Sequence, residues 1–231
     1  MTEGDISKEE LLKLHHNDHE DAFLEYLDNA RHVRDKQGFL LQWVKPSKND
    51  MILECGSSSG RTSIHFSRAT GCYCLGIDFD PIAIEISTRL RDKYFPELRG
   101  QCQFKCDDLE TMDFERPFNK VLMPDFTEHI PDDVFSKILT NMKNKLERMT
   151  LYIYTPLRSH LFERMKHRNF ILKNTSGHIN VKTENELIAF LEEHDWEIDD
   201  ITWRPSAIPL FKYAEAALGY SPILGRLFQR R

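Results

Sequence analysis

A glycine- and serine-rich turn, Glu54-Cys55-Gly56-Ser57-Ser58-Ser59-Gly60, constrains this chain more than any other stretch. The β-prone Ile52-Leu53 lead into it, and Arg61-Thr62-Ser63-Ile64-His65-Phe66 follow as the opening of a helix. A buried strand that empties into such a turn brings bare backbone to the C-terminal edge of a sheet. Open α/β folds place their ligands there. Gly56 and Gly60 permit backbone geometry and close approach that a Cβ would block.

The rest of the chain fits that frame. Strand-like runs fall at Met51–Cys55, Cys72–Ile77, Cys102–Cys106, Lys120–Met123 and Leu151–Tyr154. Helical patterns alternate with them. Pro81 suits a first turn followed by Ala83, Ile86, Leu90 and Tyr94 on one face, and a wide apolar stripe begins at Asp132. This alternation predicts an α/β fold: a Rossmann-like, mostly parallel sheet with helices on both faces. Residues 6–44 read as an N-terminal helical extension, and Leu210–Leu218 and Ile223–Phe228 as C-terminal helices. Thr183-x-x-Glu186 reads as a capping box, and Trp196–Trp203 as one more strand. With no repeat or low-complexity linker, the expectation is one domain. It comprises an extension (1–49), a core (50–156) and a substrate-side and C-terminal portion (157–231).

Acids recur where strands end. Asp78 closes Leu75-Gly76-Ile77-Asp78, eighteen positions after Gly60, where a carboxylate suits a ribose diol. Asp107 and Asp108 end the third strand, where a carboxylate can take an adenine amino group. Asp125, Glu128 and His129 follow the fourth. A pyrophosphate beside Glu54 would be repelled, whereas an ammonium group would be attracted. S-adenosylmethionine combines adenine, ribose, an amino-acid head and a sulfonium without any phosphate, and it fits this set.

Residues 50–156 resemble a class I S-adenosylmethionine-dependent methyltransferase, in the branch that includes ubiquinone-biosynthesis (type 11–12-like) enzymes. Glu54 through Gly60 is similar to the family's acid-x-Gly-x-Gly-x-Gly motif, with Ser58 in place of the central glycine. Gly76-Ile77-Asp78-Phe79-Asp80-Pro81 resembles its ribose motif, and Asp107 matches the acid that caps adenine. Phe118 through Asp132 is similar to F-D-x-V-x-x-x-D-V-x-E-H-L-P-D, with Asn119 where the family often has Asp. The resemblance implies a cofactor site of Glu54, Gly56, Ser58, Gly60, Asp78, Phe79, Asp107, Asp108, Leu109 and Asp125. It also implies a methyltransferase acting on an O- or N-nucleophile of a small molecule, such as an anionic metabolite, a sugar or a natural-product intermediate. The alternatives are a non-catalytic interaction module on the same fold, or a nucleotide-cofactor oxidoreductase.

Methyl transfer needs alignment and dryness more than acid–base help, and a base only where the acceptor must shed a proton. Candidates at the sheet's C-terminal edge are His129, Tyr154 and, before the next helix, His178. His15, His16 and His19 are expected to be solvated. The five cysteines lack zinc-knuckle spacing, and all are expected to serve as small buried hydrophobes.

The net charge of −6 conceals two basic stretches. Residues 157–173 and 204–231 each hold five basic residues against one acid, which leaves the remainder strongly acidic. Nucleic acid is therefore not expected as a partner, and Arg158, Arg164 and Arg168 can meet an anionic acceptor. The apolar and basic tail permits peripheral membrane contact, but packing on the domain or in a homodimer is the favoured reading. The acidic N-terminus is no signal peptide, so a cytoplasmic location is expected.

Overall fold

The computed structural model describes residues 19–158 and 177–204. The expected C-terminal helices, Arg164 and Arg168, and His15 and His16 lie outside them. The chain forms two compact units, Met1–Thr155 and Pro156–Arg231.

The first unit is built on five parallel strands: β1 (Met51–Cys55), β2 (Tyr73–Asp78), β3 (Cys102–Cys106), β4 (Lys120–Pro124) and β5 (Thr150–Tyr154). Their order is β3-β2-β1-β4-β5. All four pairings are parallel, with Leu53 opposite both Leu75 and Val121. The central strands are buried on both faces, so they read as continuous apolar runs. Ile52, Leu53 and Cys55 of β1 and Val121 and Met123 of β4 are fully enclosed.

Among its described residues this unit also has the helices α1 (His19–Leu27), α2 (Arg31–Val44), α3 (Arg61–Thr70), α4 (Pro81–Tyr94) and α5 (Asp132–Lys145). Among the described residues the extension forms two helices, broken at Asn29, which takes a left-handed φ of 56°. Phe23, Leu40, Ile64, Phe66 and Leu90 pack with Ile52, Cys74, Cys102 and Leu122 in one core. Pro81 opens α4 as expected, behind Asp80, whose Oδ1 accepts the Ile82 N–H at 2.8 Å. The bottom of the sheet is tied by Asn119, whose amide donates to Asp50 and whose Oδ1 accepts from Met51 N–H. An Asp at position 119 would set two carboxylates face to face, which accounts for the departure from the family pattern.

Four cysteines are buried as expected, and Cys72 Sγ lies 3.6 Å from Cys74 Sγ. Cys106 is instead exposed, because β3 is an edge strand whose last residues are uncovered. No helix among the described residues is long and apolar enough to cross a membrane.

In the second unit, α6 (Glu184–Glu193) begins with the expected capping box. Thr183 Oγ1 accepts from Glu186 N–H, while the Glu186 carboxylate accepts from Thr183 N–H at 2.7 Å. Arg158 forms an ion pair with the same Glu186. Replacing Thr183 with Ala should lower this unit's stability by about 1 kcal/mol, measured by urea unfolding. An unchanged midpoint would show that water replaces the cap. The strand expected at Trp196–Trp203 is not formed. Alternation gives a strand a face but not a ladder partner, and none pairs with it among the described residues. Trp196 N–H instead closes α6 on Leu191 O at 3.0 Å.

Candidate active site

Strand order reverses between β1 and β4, and the loop after β1 lies at that switch point. It folds through three left-handed residues: Gly56 (φ 66°), Ser58 (φ 48°) and Gly60 (φ 76°). Ser57 N–H donates to Ile77 O and Gly60 N–H to Ser57 O, which pins the turn against β2. A Cβ on Gly56 would stand 2.5 Å from the Phe126 ring, and one on Gly60 2.4 Å from the Phe104 ring. Both glycines are therefore required by close approach as well as by φ.

The acids at the strand ends are held in different ways. Glu54 is buried, and its Oε2 accepts from Ser63 N–H at 2.9 Å and Ser63 Oγ–H at 2.5 Å. It therefore caps the first turn of α3. Burial pushes this carboxyl up to about 7, against the hydrogen bonds from Ser63 and Thr62. Asp78 accepts from Ser58 N–H at 2.8 Å and from Asp80 N–H at 3.0 Å. Burial still raises its pKa above the ordinary carboxylate range. Asp107 pairs with Lys105 at 2.9 Å and accepts from Asp108 N–H. Burial acts to raise its pKa, but Lys105 and that N–H outweigh it and hold the group low. Asp108 turns to Glu110 N–H at 3.0 Å. Phe79 is half-buried, its carbonyl 3.6 Å from Cys106 Sγ, and Leu109 is buried.

Beyond β4 the chain turns at Asp125, whose φ is 51° and whose N–H donates to Tyr154 O at 2.7 Å. Its carboxylate forms an ion pair with Lys36 of α2. Lys36 Nζ also lies 5.3 Å from the centre of the Tyr154 ring, which packs on Phe39. Glu128, in the short 3-10 turn Thr127–His129, is fully enclosed. Its Oε2 accepts from Thr155 Oγ–H at 3.0 Å, while Oε1 is buried without a hydrogen bond. Burial, reinforced by the charge of Asp125, pushes this carboxyl up to about 8. A Glu128 carboxylate oxygen and a ring nitrogen of half-buried His129 lie within 4.8 Å.

The first unit thus brings Glu54, Gly56, Ser58, Gly60, Asp78, Phe79, Asp107, Asp108, Leu109, Asp125, His129 and Tyr154 to the carboxyl edge of one sheet or the loops that leave it. His178 is half-buried in the second unit. Two residues with a place in this edge, His19 and Lys36, escaped sequence reasoning. His19, expected in solvent, is buried, with Nδ1 2.7 Å from Ser58 Oγ and Nε2 3.3 Å from Asp80 Oδ2. Phe23 draws it in, since that side chain must be enclosed one turn later on the same helix. Lys36 gave no signal in the sequence, and Glu128 stood out only as a strand-end acid, because charge alone does not disclose enclosure.

The methyltransferase domain family matches residues 23–201. In fold the chain is similar to YcgJ from Bacillus subtilis at 15% identity and a TM-score of 0.58, over 77% of this chain and 76% of that one. It is also similar to the mitomycin 7-O-methyltransferase MmcR at 16% identity and a TM-score of 0.60, over 82% of this chain and 56% of that one. A methyltransferase from Methanosarcina mazei gives 19% identity and a TM-score of 0.54, over 70% and 86%. No curated protein sequence matches. With the family match spanning most of its length and the five-stranded switch-point site in place, the chain belongs to the methyltransferase domain family and is a class I S-adenosylmethionine-dependent methyltransferase.

Proposed function

We propose that this enzyme methylates an oxygen or nitrogen of a small-molecule acceptor, using Glu54, Asp78, Asp107, Asp108 and the 56–60 loop to hold S-adenosylmethionine. One observation carries the choice of ligand: Glu54 already occupies the N-terminal turn of α3, accepting its Ser63 N–H. Dinucleotide folds offer that turn to a pyrophosphate. Here a buried carboxyl fills it, and Arg61, the nearest cation in sequence, turns to Ala22 O at 3.4 Å. The oxidoreductase alternative is therefore disfavoured. The residues fit the cofactor because Asp78 keeps lone pairs for a diol beside its two backbone donors.

When bound, S-adenosylmethionine supplies a methyl group already activated by its sulfonium. Asp78 accepts the ribose hydroxyls, Phe79 and Leu109 wall the nucleoside, and Asp107 or Asp108 accepts from its amino group. Asp125 and Lys36 form an ion pair at the β4 end. His129 takes the acceptor's proton where one must leave. The nearby Glu128 carboxyl is pushed up to about 8 and keeps its proton at neutral pH. Tyr154 packs on α2 and acts as wall rather than base. The resemblance of MmcR, an O-methyltransferase by its name, supports a small acceptor.

Calorimetry with S-adenosylhomocysteine tests this reading. Asp78→Ala should weaken binding by about 1–3 kcal/mol, the scale of charge-assisted hydrogen bonds lost. Equal affinity in the variant, or stronger heat with a dinucleotide, would overturn it.

A further inference from the structure

We propose that His19 is a positioning residue for Asp78, closing a four-residue ring of Asp78, Ser58, His19 and Asp80. The role rests on the cofactor site described above. Asp78 is gripped from two sides: Ser58 N–H donates to Oδ2 and Asp80 N–H to Oδ1. His19 joins the two grips on their far side, reaching Ser58 Oγ at 2.7 Å and Asp80 Oδ2 at 3.3 Å. A carboxylate only accepts, so Nε2 carries a hydrogen toward Asp80 and Nδ1 faces the Ser58 hydroxyl.

The ring accounts for the serine at a glycine position. At φ 48° a residue with a Cβ is strained relative to glycine. Glycine would relieve that strain, but only serine offers a hydroxyl to His19. The histidine is in turn fixed from its own helix. Phe23 is fully enclosed, and Glu20 pairs with Arg89 of α4 at 2.8 Å. Helix α1 thus holds both arms of the Asp78 grip at once, and the N-terminal extension forms part of the cofactor site.

The experiment is calorimetry with S-adenosylhomocysteine on the full chain, His19→Ala, His19→Gln, Ser58→Gly and the Ala/Gly double variant, with melting of each unliganded protein. A glutamine amide sets a donor and an acceptor about as far apart as the two ring nitrogens. His19→Ala should weaken binding about tenfold, and His19→Gln should recover most of the loss. Ser58→Gly should weaken binding without lowering the melting temperature, and the double variant should bind no worse than His19→Ala. Additive losses, or glutamine as poor as alanine at an equal melting temperature, would overturn the role of His19 while wild-type binding upholds the cofactor. Silence from wild type would overturn both.

Discussion

Gly60→Ala should destabilise the first unit by about 2–5 kcal/mol, one of the two largest effects expected of a single substitution here. Two costs combine. The residue sits at φ 76°, where a Cβ costs about 1–2 kcal/mol. That Cβ would also stand 2.4 and 2.6 Å from Phe104 ring carbons and 3.0 Å from Ser87 Cβ. Overpacking of this kind costs about 1–3 kcal/mol. The ring has little room to yield, since it also lies over Gly76, where a Cβ would approach it to 2.7 Å. Urea unfolding of Gly60→Ala, Phe104→Ala and the double variant separates the costs. In the Phe104→Ala background the glycine replacement should cost only the backbone share. Equal costs in both backgrounds would show that the ring swings aside freely and that the close approach is incidental.

The fold was legible because its signals are local and periodic. Parallel strands buried on both faces read as apolar runs, Pro81 and Asp132 marked helix starts, and Thr183 with Glu186 marked a third. The glycines of the loop were legible for the same reason, since only a constrained turn places Gly56 and Gly60 so close together. What stayed hidden was partnership across the chain. Trp196–Trp203 alternates like a strand but finds no ladder among the described residues. His19 lies 39 positions from Ser58, and Lys36 89 positions from Asp125, so no spacing rule joins them. The second partner of Glu54 was hidden for a related reason. An acid before a glycine-rich turn suggested an attraction for an ammonium group, and the structure adds that its carboxyl caps the helix that the turn opens. Sequence showed where charge stands, and packing decided what each charge touches.

That buried cap should make the stability of the first unit fall as pH rises, opposite to the usual behaviour of paired carboxylates. The Glu54 carboxyl is pushed up to about 7 by burial, above its ordinary value of 4.5. Between these values the folded chain binds more protons than the unfolded chain. Stability is therefore fully present below the unfolded value and is lost as pH rises through about 7. A shift of this size corresponds to a change on the order of 3 kcal/mol. Glu128, pushed up to about 8, acts in the same direction over a higher window. His65 opposes both: burial lowers its pKa, so acidification below 6.5 costs stability. Comparing Glu54→Gln with wild type cancels the shared groups, because His65 and Glu128 contribute alike to each. In urea titrations from pH 5 to pH 8, wild type should lose stability relative to Glu54→Gln, with most of the difference developing by about pH 7. Parallel profiles across that range would mean that Glu54 is ionised in the folded protein. The N-terminal turn of α3 would then be stabilising a full negative charge instead of a neutral acid.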